Sequence, residues 1–491
     1  MTRSDIIIVG AGITGSTIAR ELSKYEQEVL VVEKRSDVAF GSPTKGNTGL
    51  IHAGYDDKPG TLRANLCSRG NLLWHKVAPE VSAPLIETGS LVVAFNEDDL
   101  RHLQDLEERG KKNNVPLLEV IEDRERLREI EPNLNKDAIA ALYAPTAAIV
   151  APYELALAMA ENASQNGVRF LLETEVKGIA TKNGEVKGVE TSKGYIETEF
   201  VINAAGLEAD GVSAMAGVDL FTIHPRKGEY YLFDKKLRGL IRCILFPVPT
   251  PISKGIVVTS TPEGNVLIGP NAYDVEDKED TKTTAVGLNE VYTGALRLVP
   301  ELAHRKSRII TYFSSLRPET ENEDFIIRSY GELRGFINVA GMRSPGLTSA
   351  PAVAEMIVDL LRESGLDLLK KESFNPNRRP IEHALRELSF PKAERLIAMD
   401  PSYGHVVCRC EHVTEAEIAE AIRRGATSLD GIKFRTRAGM GRCQGGFCTP
   451  HLIKILSREL GIPSTEVTKR GGDSRLLLCE TKKLLRDEPN D

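Results

Sequence analysis

The stretch DIIIVGAGITGSTIARELSKYEQEVLVVEK, residues 5–34, decides the fold. After Asp5, residues 6–9 are an apolar, β-branched run, the pattern of a strand buried on both faces. STIARELSKY has helical spacing, and EVLVVEK is a second buried strand. Between strand and helix, Gly10, Gly12 and Gly15 form G-x-G-x-x-G. In that motif the first glycine makes a tight turn, the second lets backbone approach a pyrophosphate, and the third lets helix pack on strand. Ile13 and Thr14 open the helix, whose amides and dipole favour phosphate. Glu33 ends the second strand, where an acid can bind ribose hydroxyls, with Lys34 beside it. Strand, loop, helix, strand and acid together predict a dinucleotide-binding βαβ unit. The loop alone leaves FAD or NAD open.

Outward from this unit, residues 40–75 are rich in Gly, Thr, Asn and Ser and read as an ordered loop. Residues 98–131 are highly charged and read as solvated helices. PYELALAMAENASQNGV, from 152, reads as a helix, followed by strands and by the buried run FVINAAG. Residues 221–330 are strand-like with turn signals, which predicts an antiparallel sheet. GFINVAG, MRSPGLTS and APAVAEMIVDLLRE then return to strand, loop and helix. The expected fold class is therefore an α/β Rossmann-like dinucleotide domain (about 1–78, 147–220 and 325–365) interleaved with an antiparallel-sheet α+β substrate domain (about 79–146 and 221–324). Residues 366–404 are Pro/Asn-rich and read as a linker; a small module follows at 405–460, then a tail at 461–491.

Four of the seven cysteines, Cys408, Cys410, Cys443 and Cys448, fall in that module. Thr414 and Gly425 bracket a predicted helix between the two pairs as N-cap and C-cap. Four thiolates on glycine-rich loops can hold zinc or a 2Fe–2S cluster. The spacing departs from paired CxxC knuckles, which weakens zinc; if the dinucleotide is FAD, attachment to a flavin domain favours the cluster. Cys67, Cys243 and Cys479 are isolated and read as core or surface thiols.

Composition sets the outer limits. Hydrophobic residues at 41% and charged residues at 27% describe a globular protein, and 491 residues predict about three domains. A net charge of -7 argues against nucleic-acid binding. No apolar run approaches the roughly 20 residues needed to cross a bilayer. The start reads as neither signal peptide nor anchor, so the expectation is cytoplasmic, with any membrane attachment through a partner.

With these motifs in place, residues 1–365 resemble the D-amino-acid-oxidase superfamily of FAD-dependent oxidoreductases. SPTKGNTGLIHAGYDDKPGTLRANLC (42–67) is especially similar to glycerol-3-phosphate and L-2-hydroxyglutarate dehydrogenases. Residues 406–460 resemble the bacterioferritin-associated-ferredoxin type of 2Fe–2S domain. The order of the two resembles the large subunit of anaerobic glycerol-3-phosphate dehydrogenases. The resemblance implies FAD and a 2Fe–2S cluster held by the four clustered cysteines. It implies cofactor contacts from Thr48, Gly49, Leu50, Val176, Ala205, Gly206, Gly341, Gly346, Leu347 and Thr348. It further implies oxidation of a secondary alcohol, glycerol 3-phosphate or a 2-hydroxy acid, with electrons passing to a partner flavoprotein or acceptor subunit in a hetero-oligomer. A non-catalytic electron-transfer subunit and an amine or imino-acid dehydrogenase subunit are the alternatives.

Such an oxidation needs a base and an anchor for a small anionic substrate. His52 is the candidate base, since neutral imidazole takes a proton near pH 7, although it equally reads as a structural histidine beside the flavin. Arg317 is the preferred anchor and Arg343 the second, because a guanidinium fork pairs with phosphate or carboxylate. Lys227 and Tyr230 are further candidates from PRKGEYYLFD. Alternation allows only one of Tyr230 and Tyr231 to face the pocket.

Overall fold

Ile6–Val9 lies in a six-stranded sheet, in the order Ile326–Ser329, Phe336–Ala340, Phe200–Asn203, Ile6–Val9, Val29–Val32 and Arg169–Leu171. All neighbours are parallel except the antiparallel edge strand Ile326–Ser329. Both faces are covered, which is why the strand is apolar throughout. Ile7 and Val9 pack with Val176, Ile179, Val189 and Ile196 of a three-stranded antiparallel sheet. Ile8 faces the opposite way, toward Gly15 of the helix Ile13–Leu22. This computed structural model describes residues 3–481 apart from 42, 219–220, 250–254, 322–323, 384 and 387.

The helix Gly346–Glu363 packs against Ile13–Leu22 and against Leu62–Glu80. It begins at Gly346, within the MRSPGLTS stretch read as loop. Pro351 lies in its interior and has no amide to give the carbonyl four residues back. That carbonyl, on Leu347, instead accepts a hydrogen bond at 3.0 Å from the indole of fully buried Trp74. The helix Leu62–Glu80 is a departure from the expected loop over 40–75. Its Gly70 lets the two helices touch: a Cβ there would sit 2.1 Å from the Thr348 carbonyl oxygen.

The second layer is a nine-stranded sheet that includes His224–Phe233, Ile309–Glu319, Ile244–Pro247 and Ser90–Ala94. It is not wholly antiparallel, since Ser90–Ala94 pairs in parallel with Ile244–Pro247. The helix Ala285–Leu298, absent from the sequence reading, fills one face with Val291, Ala295 and Leu298. Leu103 and Leu106 of Glu97–Lys112 pack on the other. Within the charged stretch 98–131, Glu119–Ile121 is a strand between two helices.

The chain divides into two units, residues 1–34 with 38–378, and residues 35–37 with 379–491. The stretch read as a linker contains the helix Phe390–Met399. In the second unit a short hairpin, Val406–Cys408 with Val413–Thr414, and three helices, Glu415–Arg423, Leu429–Thr436 and Thr449–Leu460, close around Val413, Ile418, Leu452 and Leu456. Thr414 caps its helix by accepting from the Glu417 amide, and Gly425 adopts φ +96° just beyond the end. No described helix is long and apolar enough to cross a membrane.

Candidate functional site

The carboxyl ends of Ile6–Val9 and Phe200–Asn203 meet where chain connections run off in opposite directions, the place where open α/β sheets bind ligands. Gly10 has φ +104°, and a Cβ there would meet the Ala204 carbonyl oxygen at 2.5 Å. A Cβ on Gly15 would meet the Gly10 carbonyl at 2.0 Å. Gly12 is the N-cap of Ile13–Leu22 and offers no side-chain cap. The Ile13 amide donates to Thr44 Oγ1, while those of Thr14 and Gly15 lie in the first turn, where a helix offers no acceptor of its own. Glu33 accepts from the Ala11 amide at 2.8 Å, so its carboxylate lies at the mouth of the loop. Lys34 pairs with Glu208 at 3.0 Å.

Ala205 follows Ala204, its amide held by Asn203 Oδ1, and Gly206 takes φ +61° with open space where a Cβ would stand. Val176 is buried beside Val9 and Val32. Gly49 has φ +78° and Gly341 φ +69°. The Gly346–Glu363 helix has no side-chain cap and no acid in its first turn, which holds Gly346, Leu347 and Thr348. Open first-turn amides, a glycine cradle and an acid at the second strand's end fit FAD.

A cavity of about 740 Å³ adjoins these elements. Its wall includes Thr48, Leu50, His52, Tyr230, Arg317, Arg343 and Leu347. His52 Nε2 lies 3.2 Å from Ser344 Oγ, and its backbone is fixed by Thr348 and Asn71. Arg317 donates to the carbonyls of Arg226, Lys227 and Asn271 at 3.4, 3.2 and 2.9 Å. No described carboxylate lies within ion-pair distance of it, and burial pushes its pKa below the ordinary arginine value. Arg343, by contrast, pairs with Glu319 at 2.7 Å. Burial also raises the Tyr230 phenol, against the nearby Arg317 charge, and the ring stacks on Phe313.

Lys227 is not in this wall. It is buried and ion-paired with Asp280 at 2.8 Å. The strand's period of two explains this: Tyr230, Gly228 and Arg226 share one face, and Lys227 faces the other. Arg226 takes the place in the cavity and sits directly opposite Arg317 in the strand register. Gly228 leaves room for the fork, since a Cβ there would come within 3.2 Å of an Arg317 Nη. Tyr231 points away and packs edge-on to Tyr292 and Tyr312. The sequence reading missed Arg226, Ser344 and the buried pair Arg63–Asp57 (2.6 Å), which also lines the cavity. Parity with Tyr230 was the available signal for Arg226; no pattern marked the others.

In the second unit the thiols come as two pairs. Cys410 and Cys443 Sγ lie 3.7 Å apart, close to the roughly 3.8 Å between two sulfurs on one tetrahedral metal with 2.3 Å bonds. Cys408 and Cys448 are both buried. The neighbouring Cys448 thiol and the amides of Gly439, Glu411 and Cys410 pull the Cys408 thiol down to about 6, whereas the Cys448 thiol is pushed up. No three metal-binding side chains among the described residues surround a single ion. One pair spaced for a single iron, with Cys408 and Cys448 on the same two loops, fits a 2Fe–2S cluster. A Cβ on Gly441 would lie 2.2 Å from Cys410 Cβ, so the loops close only with glycine there.

Comparison with known proteins bears on both units. Residues 5–360 match the FAD dependent oxidoreductase family model, and residues 406–458 match the BFD-like [2Fe-2S] binding domain. The chain is 44% identical to a glycerol 3-phosphate dehydrogenase of Caloramator mitchellensis, over 97% of this chain and 99% of that protein. It is 29% identical to the anaerobic glycerol-3-phosphate dehydrogenase subunit A1 of Haloferax volcanii, over 92% of this chain and 83% of that one. The FAD-bound, dithionite-reduced L-alpha-glycerophosphate oxidase of Mycoplasma pneumoniae is similar in structure, with a TM-score of 0.72 and 31% identity over 77% of this chain and 100% of that chain.

Proposed function

From the premise that this chain belongs to the FAD-dependent oxidoreductase family and carries a BFD-like [2Fe–2S] binding domain, we propose that it oxidises sn-glycerol 3-phosphate to dihydroxyacetone phosphate. One observation carries the reading: Arg317 keeps a guanidinium charge in the cavity with only backbone carbonyls as partners. A buried cation without a counter-ion is costly, and an anionic substrate supplies that counter-ion. Arg226, opposite it in the strand register and ion-paired with Asp274 at 3.5 Å, lines the same cavity. The relatives named above support the same substrate.

Bound FAD would supply the hydride acceptor, held by Gly10, Gly12, Ile13, Thr14, Gly15 and Glu33 at its dinucleotide end. Thr48, Gly49, Leu50, Val176, Ala205, Gly206, Gly341, Gly346, Leu347 and Thr348 would complete that cradle. His52 takes the hydroxyl proton at Nε2 once the substrate hydroxyl replaces Ser344 Oγ at that nitrogen. Arg317 orients the phosphate, and Tyr230 closes the wall beside it. Arg343, neutralised by Glu319, shapes the pocket mouth. Cys408, Cys410, Cys443 and Cys448 would hold the 2Fe–2S cluster, which would supply one-electron transfer to a second subunit or carrier. The chain works without a membrane-crossing helix of its own among the described residues, so any membrane association runs through that partner.

The test is anaerobic mixing of the purified holoprotein with glycerol 3-phosphate, L-2-hydroxyglutarate or glycerol while flavin absorbance is followed. Rapid bleaching by glycerol 3-phosphate is expected. Bleaching by the hydroxy acid alone would overturn the substrate, and bleaching by none would overturn catalysis.

A further inference from the structure

Burial sorts the four cysteines into an inner and an outer pair. Cys408 and Cys448 are each 2% exposed, while Cys410 and Cys443 reach the surface in part. One thiol pair is therefore shielded and the other lies toward solvent. Around the outer pair the exposed side chains include Arg409, His412, Arg442, Phe447, His451 and Lys454. Phe447 is 82% exposed, although it sits between two cysteines in a tightly held turn. That turn is fixed by the Gly446 amide on Cys443, by Thr449 on the Gly445 carbonyl, and by Gln444 on the Met440 and Gly441 carbonyls.

The sign of the charge is equally selective. Residues 437–458 contain no aspartate or glutamate, in a chain whose net charge is -7. Glu411, within the first cysteine loop, is buried and neutralised by Arg437 at 2.9 Å. Glu415 is tied to His405 and Arg458. His451 and Lys454 stand one turn apart on the helix that starts at Thr449. A local cationic rim on an acidic chain steers negatively charged partners, and an exposed aromatic at its centre is the residue type enriched in protein interfaces.

Resting on the reading that electrons leave through the cluster, we propose that this rim is the docking face for a one-electron carrier protein whose contact surface is acidic. The few cations and single exposed aromatic fall short of the cluster of four to eight lysines and arginines typical of lipid-binding segments. Oxidation of one alcohol releases two electrons and two protons, so the docked carrier is reduced twice per turnover, one electron at each visit.

The experiment uses full-length holoprotein reduced with dithionite, which makes it independent of the substrate. Stopped-flow mixing with ferricyanide, a trianion, and with ferrocenium, a cation, measures the exit step. Two variants are compared: Arg409→Glu, and the double change His451→Glu with Lys454→Glu, which lies on the helix and spares the cysteine loops. Iron content and visible absorbance confirm that the cluster is retained. Reoxidation by ferricyanide should slow about tenfold at low salt in the variants, with the gap closing as ionic strength rises, while ferrocenium is not slowed. Poly-L-glutamate, standing in for an acidic protein face, should inhibit the native chain and not the double variant. Equal ferricyanide rates, or equal inhibition by poly-L-glutamate, would overturn the proposal. Charge-dependent binding to phosphatidylserine vesicles without poly-L-glutamate inhibition would reassign the rim to a lipid surface. Failure of glycerol 3-phosphate to bleach the flavin would sink the substrate reading and leave this result standing.

Discussion

Replacing Arg317 with alanine separates anion anchoring from the rest of catalysis. The guanidinium spends Nε and one Nη on three backbone carbonyls, which hold the fork in place and leave other N–H donors for substrate. A charge-assisted hydrogen bond contributes about 1.5–3 kcal/mol. Two such bonds to a phosphate amount to about 3–5 kcal/mol once overlap between them is allowed for. At 1.4 kcal/mol per tenfold, kcat/KM for glycerol 3-phosphate should fall roughly 10²- to 4 × 10³-fold. Glycerol, which lacks the phosphate, should lose far less, because the fork has nothing to hold. The variant also strips donors from three carbonyls, so part of any loss is structural; flavin content and a thermal melt measure that part. Arg317→Lys keeps the charge but not the fork and should fall between the two. The assay is steady-state dye reduction with both substrates. Equal losses for glycerol and glycerol 3-phosphate, with flavin content and melting unchanged, would refute the anchoring argument.

Other changes probe other parts of the molecule. Gly10→Ala places a methyl 2.5 Å from the Ala204 carbonyl at φ +104° and should yield protein that purifies with little flavin, as its visible spectrum will report. His52→Gln should slow anaerobic flavin bleaching by about 10²- to 10⁴-fold at saturating substrate while leaving flavin bound. Cys410→Ser should abolish the cluster's absorbance yet leave bleaching by substrate intact. Burial opposes ionisation of Asp210, but Lys278 and the Ile223 and Gly211 amides outweigh it and lower the folded pKa. A lowered carboxyl pKa stabilises the fold above the unfolded value, near 3.9, and the contribution fades as pH falls through the folded one. Lys278→Met should therefore destabilise at pH 7 and converge with the native chain in acid, as denaturant melts across pH would show.

The nucleotide end of the site was legible because its signal is local. Gly10, Gly12, Gly15 and Glu33 sit in one βαβ unit, where sequence spacing and spatial spacing nearly coincide. The four cysteines were legible for the same reason: two short loops carry them. The cavity is different. His52, Arg226, Arg317 and Ser344 come from four distant segments, and only strand register brings Arg226 opposite Arg317. The helix Leu62–Glu80 was obscured because it is buried against another helix through Gly70, so it shows no clean polar face. Ala285–Leu298 was hidden inside a stretch whose neighbours are strands. Lys227 shows a rule applied incompletely: the same alternation that separated Tyr230 from Tyr231 also excludes Lys227 from the face Tyr230 shares with Arg226.

The interleaving of the two sheets has a chemical consequence. The turn at 344–345 and the start of Gly346–Glu363 follow Phe336–Ala340 of the six-stranded sheet, whereas Tyr230, Arg226 and Arg317 belong to the nine-stranded sheet; His52 follows Leu50–Ile51, which pairs with Ala148–Val150, and its ring lies 6.0 Å from that of Phe246. His52 is fixed by Thr348 and faces Ser344. Arg317 is fixed by carbonyls of its own sheet. The base and the anchor are thus held by different segments, and one small molecule in the cavity between them can satisfy both. A substrate lacking the anion would still meet His52 but would not be positioned against it. A substrate lacking the alcohol would be held without reacting. Rate should therefore depend on both ends of the molecule together, so that phosphate removal lowers kcat as well as raising KM.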